Sequence, residues 1–362
     1  MLWLFLASEA LAQARTITPE HRGNCQAPSW SHDGSRLSYE VNDHEQRTVS
    51  LYVYIPGQEP ERIAPPHSAR TITQGFSTSA TDQVVHELVW SPPALGTFLF
   101  TATSADQDYD IFLHGGGSMV SSPGADGGPA WSQDGRYIVF TSARTGQGDL
   151  YLIDTADVTA PPRQLTDMAG SAEMYATFSP NSQALAYVAH TDDGDQIFLI
   201  DNLDRPQPTT LVSLGRTQTR PRFSPDGRHL AFYSDHTEPG RFDLYALKLS
   251  DRSILPIDEG VVLNRSGPTW TPDGLHLIYV RDDDNQLDPV YSAPVDGGAA
   301  PRKVHTETVG NRDLDVTQGD DGQLWLAVAA QGGSQQAGRD FHRIYVTPLK
   351  AMPGTDAPQD GP

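Results

Sequence analysis

The chain has 362 residues, 37% of them hydrophobic and 20% charged, with 32 glycines and 28 prolines, a balance usual for an all-β protein rich in turns. Its formal charge of −21 repels nucleic acid and anionic membrane surfaces, so neither is expected as a partner. The single cysteine, Cys25, excludes an intrachain disulfide framework and a cysteine-based zinc cluster, and reads as a buried structural thiol.

Residues 1–14 read as a shortened signal peptide. Residues 1–7 are apolar, and Ala10-Leu11-Ala12 before Gln13 resembles a small-residue cleavage site, although the usual basic n-region is missing. A periplasmic or secreted protein is therefore expected. No later stretch approaches the roughly 18 apolar residues of a membrane span.

From residue 24 the sequence repeats itself. Pro28-Ser29-Trp30-Ser31-His32-Asp33-Gly34, Pro129-Ala130-Trp131-Ser132-Gln133-Asp134-Gly135 and Pro268-Thr269-Trp270-Thr271-Pro272-Asp273-Gly274 share one template. Copies with Phe178 and Phe223 in place of tryptophan, a copy at Trp90 and a worn one at Val316 complete the series. The anchors fall at intervals of about 60, 41, 47, 45, 47 and 46 residues, a propeller-blade period. The first interval is long because residues 73–86 look like an insertion.

Each unit gives an anchor, an Asp-Gly turn, a short apolar strand such as Leu230-Ala231-Phe232-Tyr233, a polar loop and a second strand such as Leu244-Tyr245-Ala246-Leu247. A fourth strand is marked by Arg163-Gln164-Leu165-Thr166. The predicted fold is an all-β, closed β-propeller over residues 15–350, with seven four-stranded blades, six being the alternative count. Thr16-Ile17-Thr18 matches the fourth-strand pattern, so the N-terminal strand should complete the last blade beside Tyr345 and remove the open edges. A monomer is expected, with a disordered tail over residues 351–362.

These residues resemble the TolB-type, WD40-like propeller repeat, most clearly from Phe223 through Ser224-Pro225-Asp226-Gly227 to Leu247. The likeness implies a propeller from about residue 24 to 347. That family carries an α/β domain ahead of a six-bladed propeller, whereas the repeats here begin almost at once, so a stand-alone relative is expected. The resemblance implies a non-enzymatic scaffold that binds a protein or envelope polymer on its loop face.

Chemistry is expected on the face shared by the loops leading into the anchor strands and those between second and third strands. Those second loops are rich in acids, with Asp110, Asp149, Asp235, Asp243 and Asp288 among them, and read as solvated turns. Asp192, Asp193, Asp282 and Asp284 are candidate binding residues on this rim. The runs Asp192-Asp193-Gly194-Asp195 and Asp282-Asp283-Asp284-Asn285 offer clustered hard oxygens for calcium, the one cofactor under consideration, but lack the EF-hand spacing. Just before the anchors lie Asn24, Glu87, Asp126, Glu173, Arg220, Arg222, Arg265, Arg312 and Asp313. Arg220, Arg222, Arg265 and Arg312 form a candidate anion pocket, because guanidinium matches carboxylate and phosphate. No nucleophile elbow, phosphate loop or metalloprotease spacing occurs, so no catalytic residue is assigned. Two alternatives stand beside the scaffold reading. One is a polysaccharide-active enzyme like the oligogalacturonate lyases, with His86, His190, His236 and His305 as candidate metal ligands. The other is a sensor-like subunit of a complex.

Overall fold

The turn after each anchor is built locally by the template's own side chains. In the computed structural model, which describes residues 14–18, 23–63, 84–103, 108–283, 287–332 and 341–349, the Ser31 hydroxyl donates to Asp33 Oδ1 at 2.6 Å. The same carboxylate accepts the Ser35 amide at 3.0 Å, while Ser31 Oγ accepts the Arg36 amide at 3.0 Å. Ser132 with Asp134, Ser224 with Asp226, Thr271 with Asp273 and Ser179 with Asn181 repeat the contact. The motif is thus a hairpin closed by a hydroxyl and a carboxylate. Burial works against ionisation at Asp33, Asp134 and Asp226, yet the hydroxyl and amide donors outweigh it and hold all three below the usual carboxylate range.

Each turn starts a four-stranded antiparallel meander. The Trp30 unit runs Asn24–Trp30, Leu37–Asp43, Thr48–Tyr54, Glu61–Ile63, and the Trp131 unit runs Asp126–Trp131, Tyr137–Ser142, Asp149–Asp154, Arg163–Gln164. The units anchored at Trp90 and Trp270 have the same order, and those at Phe178 and Phe223 are joined into one sheet by a short parallel contact between Gly194–Ile200 and Arg216–Phe223. Gly194 is required there: its φ is +106°, and a Cβ would collide with the Arg216 carbonyl. At the C-terminal end, Leu314–Gln318, Leu324–Gly332 and Arg343–Pro348 are completed by Arg15–Thr16, with Thr16 opposite Tyr345 and Ile17 donating to the Ile344 carbonyl at 3.0 Å. Helix is confined, among the described residues, to a single 3-10 turn at Thr155–Asp157. Residues 1–13, 73–83 and 350–362, which hold nearly all of the expected leader, insertion and tail, lie outside the described residues.

The core lies between sheets rather than within them. Leu51, Val53 and Ile63 of the Trp30 unit pack with Trp90, Phe98 and Phe112 of the next. Leu99 and Ile111 pack onward with Ile138 and Phe140, Val139 and Leu152 with Tyr187 and Ile200, and Val188 with Phe223 and Phe232. Tyr233 and Leu244 then meet Trp270, and Ile278 meets Val328. A last cluster joins Trp325, Ala327 and Ile344 of the C-terminal sheet to Trp30, Tyr39 and Cys25 of the first. Trp90 and Trp270 also donate their indole N–H backwards, to the carbonyls of Ser29 and Arg222 at 3.0 and 3.2 Å. Trp131 differs: it is only half-buried, at the margin of its cluster.

Candidate functional site

Just before the anchor, the first strand of a unit bulges. Its register slips in the first five units. The residue three before the anchor has a positive φ in six units: Ala27, Glu87, Gly128, Tyr175, Arg220 and Gly267. Only two of these are glycine, so four side chains are held in a region that L-residues seldom adopt, a form of strain often found at functional sites. At three of these bulges the backbone amide turns toward the preceding unit, where a carboxylate receives it. Glu40 Oε1 accepts the Glu87 amide at 2.9 Å, Glu87 Oε2 the Gly128 amide at 2.9 Å, and Asp313 Oδ2 the Ala27 amide at 3.1 Å. Glu87 and Asp313 are thus committed to backbone donors, whereas Asp126 accepts from the Ser122 hydroxyl and Arg144, and Glu173 from the Thr166 hydroxyl.

At the Phe223 and Trp270 units, and just ahead of the C-terminal sheet, arginines stand at these positions instead, around a cavity of about 540 Å³. Arg220, Arg265 and Arg312 line it, with Asn24, Cys25, Gln26, Asp313 and His342 as the other polar groups and Val262, Leu263 and Ala329 as the apolar wall. Arg220 Nη1 donates to the carbonyls of Asn264, at 2.9 Å, and Arg265, and its guanidinium lies 5.2 Å from the centre of the Tyr175 ring. Arg265 Nε is 3.7 Å from Asp313 Oδ2, and its amide donates to Asp313 Oδ1 at 2.8 Å. The Arg312 guanidinium is exposed and has no hydrogen-bond or ion-pair partner among the described residues. Burial, reinforced by the charge of Arg312, holds His342 below the usual imidazole range. Burial likewise raises the Cys25 thiol, against weaker opposition from Thr18 and Arg343.

Three of the four arginines marked by the sequence thus meet in one place. Arg222 does not line the cavity: it donates to the Ser266 carbonyl at 3.2 Å, and its charge acts on Asp315, whose carboxyl burial pushes up. Asp192 and Asp193 are exposed, and Asp195 is held by His190 Nδ1 at 2.7 Å. Asp282 is exposed, Asp283 accepts the amides of Leu287 and Asp288 at 2.8 and 3.1 Å, and Asp284 lies outside the described residues. No group of three or more His, Cys, Asp or Glu residues could hold a metal ion among the described residues. His86, His190, His236 and His305 belong to four different units; His86, His190 and His305 lie near Glu87, Asp195 and Glu307, and His236 beside the Tyr245 ring.

The reading of the acidic loops as solvated needs correction. Asp110, Asp149, Asp235, Asp243 and Asp288 are buried. Several cap neighbouring backbone: Asp235 Oδ1 accepts the Thr217 amide at 3.0 Å and Asp243 Oδ1 the Gly260 amide at 2.9 Å. A short carboxylate side chain reaches these amides where water cannot, which favours burial of Asp235 and Asp243. His342 was not visible in the sequence as a site residue, since no spacing ties it to the anchors.

A sequence profile for the TolB beta propeller domain matches residues 162–344. No curated protein sequence matches the chain. Among solved structures, an oligogalacturonate lyase in complex with manganese is 12% identical, with a TM-score of 0.60 over 95% of this chain and 94% of its own. A puromycin-hydrolyzing peptidase of Mycobacterium tuberculosis is 11% identical, with a TM-score of 0.55 over 88% of this chain and 51% of its own. A putative TolB from Agrobacterium tumefaciens is 17% identical, with a TM-score of 0.45 over 91% of each chain. At such identities the likeness concerns the fold alone.

Proposed function

The chain belongs to the family of TolB beta propeller domains, and from that premise we propose that its units close into a seven-bladed ring which binds an anionic group of a partner in the arginine-lined cavity. Closure is supported by the core clusters, each shared between successive units and the last joining the C-terminal sheet to the first, and by the pairing of Thr16 with Tyr345. A ring of this kind brings Asn24 and Arg220 to one cavity although they lie far apart in sequence.

The observation that carries the binding reading is Arg312. Its fork faces the cavity with no side-chain partner of its own among the described residues, whereas Arg220 and Arg265 are held by carbonyls and Asp313. A free guanidinium beside two fixed ones suits a carboxylate, which it grips through two parallel hydrogen bonds. The charge of −21 sets the kind of carrier, because its field repels a uniformly anionic polymer while attracting a cationic or neutral one. The partner is then a protein or envelope polymer that presents a carboxylate on a surface of low or positive charge, met by an exported, non-enzymatic scaffold. That same field weighs against a lyase acting on polyuronate.

The test compares a lysine-rich peptide carrying one glutamate with the same peptide carrying glutamine. The glutamate form should bind about tenfold more tightly, as expected for one charge-assisted pair, and the advantage should vanish in Arg312→Gln. Equal binding of the two peptides, or release of unsaturated product from polygalacturonate with or without manganese, would overturn the proposal.

A further inference from the structure

We infer that the cavity takes up its anion together with one proton, which His342 holds. The inference rests on the reading of the cavity as an anion site and concerns how that site is regulated. Both ring nitrogens of His342 face oxygen: Nε2 lies 3.1 Å from the Gly310 carbonyl, and Nδ1 lies 3.4 Å from Asn24 Oδ1. A carbonyl only accepts, so Nε2 carries the hydrogen. Asn24 Oδ1 is fixed as the oxygen because it already accepts the His342 backbone amide at 2.9 Å. The neutral ring therefore turns a lone pair toward an oxygen at Nδ1, and only the imidazolium satisfies both contacts.

Two influences keep that proton off while the cavity is empty. Burial disfavours the charged ring, and Arg312 adds a like charge, with Asp313 and the Gly310 carbonyl opposing them more weakly. The other groups packed around the ring do not replace the missing charge. Arg343 donates to the Gly23 carbonyl at 2.9 Å, Asp313 is occupied by the amides of Ala27 and Arg265, and the buried Cys25 thiol is raised. An anion seated on Arg312 cancels the repulsion the guanidinium exerts and leaves the two oxygens to favour the imidazolium. Binding and protonation are then linked, each strengthening the other by the same factor.

Sulfate is the appropriate probe, because its double charge does not change between about pH 5.5 and 8, where imidazole titrates. Calorimetric titration of the full chain with sodium sulfate, in two buffers of different ionisation enthalpy, counts the protons taken up. The affinity should rise on acidification by up to about tenfold per pH unit, with uptake approaching about one proton, and His342→Gln should flatten the dependence. Binding that is independent of pH and takes up no proton overturns the role of His342 and leaves the anion site standing. Absence of sulfate binding at every pH overturns both. The proton count on the unmodified protein decides the matter even if His342→Gln does not fold.

Discussion

Glu173 and Asp149 offer a test that needs no ligand. Both are buried, where the Trp131 and Phe178 units meet. Glu173 Oε2 accepts the Thr166 hydroxyl at 3.0 Å, and Asp149 Oδ2 accepts from Thr145 and, at 3.1 Å, from Gln164. The remaining oxygens, Glu173 Oε1 and Asp149 Oδ1, have no other partner. Burial, aided by the neighbouring Asp149 charge and opposed by the Ser171 and Thr166 hydroxyls, raises Glu173 from 4.5 to about 7. The folded protein thus keeps a proton that the unfolded chain releases as pH rises through 4.5. The resulting stability is fully present below that pH and is lost progressively up to about 7, an overall change of about 3 kcal/mol. For a chain of this length that corresponds to roughly 4 °C in melting temperature. Glu173→Gln carries no titrating proton, so the gap between its melting temperature and that of the parent should change by that amount between acidic and neutral pH. Parallel pH profiles for the two proteins would refute the proton retained by Glu173.

The other predictions concern packing, backbone and calcium. Trp270→Ala should cost about 3–5 kcal/mol in denaturant unfolding, because the ring fills the space between two units, whereas the half-buried Trp131→Ala should cost clearly less. Gly128→Ala should cost about 1 kcal/mol from conformation alone, since φ is +58° and the nearest atom to the new Cβ, Thr141 Oγ1, is 3.8 Å away. Joint replacement of Asp192, Asp193 and Asp282 by Asn should change stability by less than about 0.5 kcal/mol per site. Millimolar calcium should leave the parent's melting temperature unchanged; a rise abolished by Asp283→Ala would restore calcium as a ligand of these loops.

The repeats were legible in the sequence because their turns are local: Ser31 and Asp33 make the same bonds wherever the motif recurs. The pairing of Thr16 with Tyr345 was legible too, since the first strand pattern lacked neighbours of its own and the last unit lacked a strand. The bulges were not, because Ala27, Glu87, Tyr175 and Arg220 carry no glycine to mark a positive φ. Nor was the separation of Arg220 from Arg222. Two residues apart on a regular strand they would share a face, but the register slips between Thr219 and Arg222 and breaks that alternation. Buried acids such as Asp243 look like any loop aspartate until the amide they cap, here that of Gly260, is in place. His342 joins the site through Asn24, a contact made only when the two ends of the repeat array come together.

One backbone device accounts for both characters of the candidate site. The bulge presents an amide to the preceding unit, and where that unit supplies Glu40, Glu87 or Asp313 the donor is used and the carboxylate is held in place. At the Phe223 unit the bulge residue is Arg220 itself, whose guanidinium reaches forward to the carbonyls of Asn264 and Arg265 rather than to a carboxylate. Carbonyls carry no net charge, so this contact fixes the fork without neutralising it. Arg265 is only partly offset, because Asp313 is shared with two backbone amides, and Arg312, whose charge acts on Asp288, has no hydrogen-bond or ion-pair partner among the described residues. A strongly acidic protein thereby keeps one sector of positive charge, and it lies where strand geometry, rather than net composition, decides which charges remain uncompensated.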